Sequence, residues 1–521
     1  MNKTNIGFMV NNLEIGRFDC KEISEQQDKI ANEIGNSNNV QLTPKIYKQA
    51  LACAKRYECL KAIENELSNM RRHRGFNILP LLWNVKPIGG GWVFALKPAT
   101  DDKPAHFKAR NVAQGNSQLS GFNFHNTFAL TETFTSLWIL LMLAAQSGLH
   151  IATLDFVAAY LNTYIDKEIC ICPPEGLMVL MGSGCCLREA LYSTKQAGQC
   201  CVYLNNDCGV IRWLQIDNGA VFAKKQTDIT ALRSSLCIKW DDMLHNIIGI
   251  DINHTNDGFH LGQEHLILSI INKYWDQQSL QKSPLPVKHN LTTLTNNDNV
   301  IRQPDFIAAV GALSFVATGM RPDISFALNL LARHSKFPGK DDWFCLQHLL
   351  GYLSGTSTWC LTLTPHGHTP VLEVYSDASL EGECLRMSHG FVRRLSGCSI
   401  VWCSKRLMTV ALSSCHAEFM ALGIAARHGK WIRNLTTEFM LKPLVINLKC
   451  NNTSCMKIAT DCSPNKRMRH SDREFFITNQ LLHEGCPTLE WFVSGNRLSD
   501  VLTKAMGPQL HLSFADKLLS C

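Results

Sequence analysis

Two short stretches constrain this chain more than any other: Ile151-Ala-Thr-Leu-Asp155-Phe-Val-Ala-Ala-Tyr160 and Leu214-Gln-Ile-Asp217-Asn218-Gly219-Ala-Val-Phe222. Each sets an acidic residue inside or just after an apolar, strand-like run, where an isolated carboxylate is costly unless a metal or partner compensates it. Two carboxylates brought together from separate strands can hold a pair of Mg²⁺ ions about 3.5–4 Å apart. The same residues admit a local reading, in which Asp155 caps the following helix and Asp217 sits in a hairpin turn before Gly219. The two stretches alone leave both open.

A chain of 521 residues is too long for one core and implies two or three domains. Hydrophobic content of 45% and aromatic content of 8% exclude a disordered chain. The net charge of +7 fits a polyanionic partner and fits an ordinary, slightly basic protein equally well. The 22 cysteines are scattered, with no CxxC pair and no zinc-type Cys/His spacing, and are read as free thiols. The N-terminus lacks the apolar core of a signal peptide. The longest apolar run, Leu137-Trp-Ile-Leu-Leu-Met-Leu-Ala-Ala145, is too short to span a bilayer and reads as a buried helix.

Residues 1–42 are polar and read as loosely ordered. Thr43-Pro44 reads as N-cap and first-turn proline of an amphipathic helix over 43–74, with Ile46, Ala50, Ala54, Tyr57, Leu60, Ile63, Leu67 and Met70 as its buried face. It ends in Arg71-Arg-His-Arg74, a solvated helix end suited to the dipole or a contact for a phosphate backbone. From Trp83 to Gln118 the pattern turns to strands, where Lys108 and Arg110 share one face.

What weighs between the two readings is the order of further motifs. Tyr47-Lys-Gln-Ala50, Trp92-Val-Phe94, Phe107-Lys-Ala-Arg-Asn-Val-Ala-Gln-Gly115, Phe124-His-Asn-Thr-Phe128 and Leu154-Asp-Phe-Val-Ala-Ala-Tyr-Leu-Asn162 are followed by Pro174-Glu-Gly-Leu177, Ala190-Leu-Tyr-Ser-Thr-Lys-Gln-Ala197 and Ile216-Asp-Asn-Gly219. This series resembles the reverse transcriptase of Ty1/copia-type retrotransposons, from about Thr43 to the C-terminus. Further landmarks are Ile247-Ile-Gly-Ile-Asp-Ile252, Thr318-Gly-Met-Arg-Pro-Asp-Ile324 and Leu350-Gly-Tyr-Leu-Ser-Gly-Thr356. The resemblance implies Asp155 and Asp217 as metal ligands and Lys108 and Arg110 near the triphosphate of the incoming nucleotide. It further implies Tyr160 as the aromatic that excludes a ribose 2′-hydroxyl, and Lys195 and Gln196 as template–primer contacts.

The sequence departs from that family at the hairpin, where Asn218 stands in place of a second aspartate and offers a neutral oxygen to a cation. It departs again between Gln199 and Trp213, where about a dozen residues replace a longer run and remove part of the palm. From about Pro370 the chain looks like the ribonuclease H domain that ends the same polyprotein. There Asp377 closes a strand, Val401–Lys405 and Val410–Ser414 read as strands, Glu418 opens a helix and Asp500 opens another. The resemblance makes Asp377, Glu418 and Asp500 three of four metal-binding carboxylates, with Asn451 where the fourth should be.

The expected architecture is α/β (α+β), a right-hand-like reverse transcriptase of fingers, palm and thumb followed by a ribonuclease H-like domain. Its parts are residues 1–42, the helix 43–74, fingers and palm 75–270 with the shortening near 199–213, thumb and connection 271–369, and the ribonuclease H-like region 370–521. The resemblance implies Mg²⁺, with Mn²⁺ as a substitute, and as partners an RNA template, a DNA primer, an RNA–DNA hybrid and dNTPs, without a membrane. It implies cytoplasmic particles or the nucleus rather than secretion. Loss of a carboxylate in both centres points to an impaired, degenerate copy; the alternative is a non-catalytic nucleic-acid-binding remnant or domesticated protein.

Overall fold

A computed structural model of the chain describes residues 43–44, 46–72, 75–81, 87–97, 104–114, 117–118, 133–155, 164–180, 182–189, 200–205, 209–215, 218–235, 239–241, 243–277, 279–287, 302–367, 370–379, 387–407, 413–440, 444–460, 479–483, 487–492 and 498–519. These fall into two compact units, one from the described residues within 19–133 and 150–244, the other from those within 134–149 and 245–521. Both mix helix and sheet. No helix among the described residues is long and apolar enough to cross a membrane.

The first unit opens with α1 (Tyr47–Ala52) and α2 (Arg56–Arg72). Where one helix is expected over 43–74, the chain breaks at Cys53, which turns extended (φ −79°, ψ 157°). Its thiol donates to the Ala50 carbonyl at 3.3 Å. The break resets the phase of the apolar face: Cys59, Ala62, Ile63, Leu67 and Met70 are buried, while Ile46, Tyr57 and Leu60 are exposed. After β1 (Phe76–Pro80) come β2 (Gly90–Lys97) and β3 (His106–Ala113), an antiparallel pair in register from Gly90↔Ala113 to Lys97↔His106. Trp92, Phe94, Phe107 and Ala109 meet the buried face of α2 in one core.

Helix α3 (Thr133–Ser147) falls almost wholly in the second unit. The first unit resumes with β4 (His150–Asp155), β5 (Tyr164–Ile171), β6 (Ser183–Glu189), β7 (Cys200–Asn205), β8 (Val210–Gln215), β9 (Asn218–Ala223), α4 (Gln226–Ser235) and β10 (Lys239–Asp241). β1, β6 and β5 form a three-stranded sheet, and the five strands β10-β4-β9-β8-β7 form a second, antiparallel throughout. Ala152, Leu154, Val221 and Ala223 alternate toward one face of that second sheet, where Ile229 of α4 joins their core.

The reading of all cysteines as free thiols needs correction: Cys170 and Cys186 form a disulfide. They sit directly opposite on β5 and β6, with Cα atoms 4.0 Å apart. That cross-strand pairing, invisible to a search for CxxC spacing, brings the thiols together.

In the second unit, β11 (Asn246–Ile247), β12 (Ile250–His254) and β13 (Phe259–Gly262) form a meander that β14 (Leu361–Leu363) completes. Between them run α5 (Glu264–Tyr274), α6 (Gln303–Gly319), α7 (Ser325–Ala332) and α8 (Lys340–Gly355). Leu266, Ile267, Ile270, Ile271 and Tyr274 recur at helical spacing, which is why α5 has one buried face. Arg321-Pro-Asp323 leads into α7 through one turn of 3₁₀ helix, Pro322–Ile324. Here Arg321 and Asp323, both at 0% exposure, pair bidentately at 2.7 and 2.9 Å. Arg321 also donates to the Thr356 carbonyl and hydroxyl at 2.8 and 2.9 Å, and the Tyr352 hydroxyl donates to Asp323 at 2.8 Å. Burial pushes the Asp323 carboxyl up, but the Arg321 guanidinium outweighs it and holds the group below its ordinary value.

The last sheet has the order β17-β16-β15-β18-β19, built from β15 (Val371–Ser379), β16 (Ser388–Leu395), β17 (Cys398–Arg406), β18 (Val445–Cys450) and β19 (Thr488–Trp491). β15, β16 and β17 are antiparallel, while β15, β18 and β19 run parallel. The long α9 (Ser414–Met440) packs on this sheet, its Gly429 lying against Val374 and Ile446. α10 (Thr453–Thr460) follows β18, and α11 (Pro508–Leu519) lends Phe514 and Leu518 to a core with Val392. Ser414 begins α9 rather than closing a strand, and Val410 lies outside the described residues. Asp500 opens a single 3₁₀ turn, Asp500–Leu502, not an α-helix.

Candidate functional site

The first candidate centre is built by register. β4 pairs with β9 from His150↔Ala223 to Asp155↔Asn218, and β8 pairs with β9 from Ile211↔Phe222 to Gln215↔Asn218. Position 218 therefore stands directly beside position 155, and residues so opposed carry Cβ atoms about 4.5–5.5 Å apart. Gly219 permits the close seating: a Cβ there would lie 2.4 Å from Leu154 Cδ1 and 2.7 Å from Leu214 Cδ2. On its other side, Asp155 is level with Lys239 of β10. Sequence reading missed that lysine position, because β10 is only three residues long and carries no motif. The side chain of Asp155 and the whole of Asp217, Tyr160, Lys195 and Gln196 lie outside the described residues. Asn218 is exposed.

On β3, Phe107, Ala109 and Ala113 point into the core, leaving Lys108 exposed and Arg110 half-buried on the other face. Both act electrostatically on Glu66 of α2, a carboxylate only 7% exposed. Burial raises the Glu66 carboxyl, and the Asn111 backbone N–H and the two cations offset part of that rise. Glu66 falls among apolar positions of α2, so a periodicity count alone gives no signal for it.

The second candidate centre gathers on the last sheet. Asp377 on β15 is level with Gly390 of β16 and is 3% exposed. Parallel pairing of β15 with β18 ends at Tyr375↔Lys449, two residues short of Asp377, and the half-buried Asn451 follows the end of β18 at Cys450. Asn452 caps α10, its Oδ1 accepting the Cys455 backbone N–H at 3.0 Å. Glu418, in the first turns of α9, is 8% exposed, and Asp500 is 9% exposed. Gly390 lets the 3₁₀ turn approach, since a Cβ there would lie 2.7 Å from Leu502 Cβ and 2.9 Å from Thr503 Cγ2. That approach sets the Thr503 hydroxyl to donate to Asp377 Oδ2. Lys504 Nζ pairs with Asp500 Oδ2 at 2.8 Å, an i,i+4 ion pair.

These contacts test the fit of a cation. Asp377 already accepts from Thr503, and the charge of Asp500 is matched by a lysine. Among the described residues no group of three or more His, Cys, Asp or Glu side chains is placed to hold a metal ion. Asp377, Glu418 and Asp500 do not form such a set, and position 451 is an amide. As arranged, the residues do not fit a two-metal centre.

A family model described as reverse transcriptase (RNA-dependent DNA polymerase) matches residues 73–209. The Retrovirus-related Pol polyprotein from transposon TNT 1-94 of Nicotiana tabacum is 26% identical over 505 residues, covering 89% of this chain and 38% of that protein. The Transposon Ty1-BL Gag-Pol polyprotein of Saccharomyces cerevisiae is 24% identical over 470 residues, covering 77% of this chain and 25% of that protein. The chain thus spans well under half the length of these curated relatives. Among solved structures, LC11-RNase H1 in complex with RNA/DNA hybrid aligns with 25% of this chain and 93% of that one, at 13% identity and a TM-score of 0.21.

Proposed function

The chain belongs to the Pol polyproteins of Ty1/copia-type retrotransposons, and from that premise we propose that it is their reverse transcriptase–ribonuclease H segment with both catalytic centres impaired. By descent it is an RNA-directed DNA polymerase with hybrid-degrading activity, acting on an RNA template, a DNA primer and dNTPs. Fingers and palm occupy about 75–270, thumb and connection 271–369, and the ribonuclease H-like region 370–521.

The observation that carries this reading is the β4–β9 register, which stands position 218 beside Asp155. In this family that pairing serves nucleotidyl transfer, and Asp155 and Asp217 are the carboxylates left to hold Mg²⁺ or Mn²⁺. Bound there, the ions would neutralise charge on the transferring phosphate. Asn218 removes one negative charge from the place. Lys108 and Arg110 suit the triphosphate, and Tyr160, Lys195 and Gln196 the sugar and template contacts.

The test is extension of a DNA primer on an RNA template by the purified chain with Mg²⁺ or Mn²⁺, beside Asn218→Asp and Asp155→Asn. Asn218→Asp is expected to raise extension at least about tenfold, equivalent to ~1.4 kcal/mol of barrier. Extension unchanged by either substitution would refute the assignment of this centre.

The Asp500–Lys504 pair and the Thr503–Asp377 bond favour a second reading for the last domain, that it binds nucleic acid without cutting it. Hybrid binding would then keep its salt dependence and be indifferent to a chelator. Chelator-sensitive cleavage of the hybrid would overturn that reading.

A further inference from the structure

We infer that Cys53 and Cys59 form a site of reversible oxidation, closed to a disulfide by a peroxide. Their sulfurs lie 3.8 Å apart at the joint between α1 and α2. A disulfide bond is about 2.05 Å long, so closure needs a movement of under about 2 Å. The joint can supply it. Cys53 ends α1 in extended backbone, outside the helical ladder, whereas Cys59 is fixed in the first turns of α2.

The two thiols differ in access, and this orders the chemistry. Cys53 is half-buried, while Cys59 is 0% exposed and packed in the core of Ala62, Ile63, Trp92 and Phe94. Burial and the neighbouring Cys53 push the Cys59 thiol up to about 12. Hydrogen peroxide therefore meets Cys53 first: its sulfur takes one oxygen, giving a sulfenic acid and one water. The Cys59 sulfur then attacks the Cys53 sulfur and displaces hydroxide, which leaves as a second water with the Cys59 proton. The thiol pair gives two electrons and the peroxide takes them.

The bridge would fix α1 against α2 and hold Tyr47, whose hydroxyl lies against Gly176. Reduction by a dithiol would release it. None of this draws on the polymerase or nuclease centres, so it stands apart from the proposed function.

The test uses the full chain. It is treated with hydrogen peroxide, its remaining thiols are alkylated, and it is digested with trypsin without reduction. Lys55 and Arg56 lie between the two cysteines, so a bridge joins the peptides 49–55 and 57–61 and disappears on reduction with dithiothreitol. Recovery of both cysteines alkylated, of Cys53 only as sulfinic or sulfonic acid, or of either linked elsewhere would overturn the inference. In a second arm, Cys53→Ser is expected to leave Cys59 reduced at a dose that fully bridges the parent. Oxidation of Cys59 in that variant would overturn the order of attack. The first arm needs no substitution and is independent of whether the variant folds.

Discussion

Replacing Asp323 by Asn tests what holds the second unit together. The substitution keeps volume and leaves one oxygen for Tyr352 or Arg321, but strands the Arg321 charge at 0% exposure. Arg321 would keep its two bonds to Thr356 and its position over the rings of Tyr352 and Trp359, at 5.7 and 5.5 Å. Neither supplies a countercharge. Removing one partner of a buried ion pair costs about 3–5 kcal/mol, because the other is left charged and desolvated. In a domain of this size that corresponds to a loss of roughly 6–20 °C in the melting temperature. Urea denaturation followed by circular dichroism measures it. The companion variant, Arg321→Met with Asp323→Leu, leaves no stranded charge and is expected to cost about 1–2 kcal/mol, mainly from the Tyr352 hydroxyl losing its acceptor. If Asp323→Asn costs less than about 1 kcal/mol, or the double variant costs more than the single, the charge argument is wrong.

Burial pushes His389 and His511 down to about 4, so both stay neutral in the fold while the unfolded chain takes up protons below about 6.5. Stability is therefore expected to fall as pH drops from about 6.5 to 4, by at most about 1.4 kcal/mol per pH unit for each histidine, and His511→Gln should flatten that slope in melting curves taken across the range. The Asp323 carboxyl, held below its ordinary value, adds a loss of the same sign only below about pH 4. Gly390→Ala should destabilise the last sheet by about 1–3 kcal/mol in a urea titration, since its Cβ meets Leu502 and Thr503; a neutral result would show that the 3₁₀ turn can back away.

The parts of the fold that were legible in the sequence are those whose pattern is local. α3 and β15 announce themselves by an apolar run and a strand pattern, and the hairpin is readable from Leu214 to Phe222 because the turn chemistry and both strands are contiguous. The single helix expected over 43–74 gives way at Cys53, where the phase change has no proline or glycine to mark it and the chain simply turns extended. Lys504 was readable in principle, four residues after Asp500, but only the structure shows that the pair forms. The Cys170–Cys186 bond and the electrostatic link of Glu66 to Lys108 and Arg110 depend on which strands and helices become neighbours, and spacing within one element carries no record of that.

Asn218 stands level with Asp155 across the β4–β9 ladder, a placement that the backbone alone confers. Asparagine and aspartate codons differ by a single base. In hereditary terms a second carboxylate at that place is one transition away, and the register that would receive it is in place. A single point change in the lineage of this chain would therefore set two acids side by side without any change of backbone.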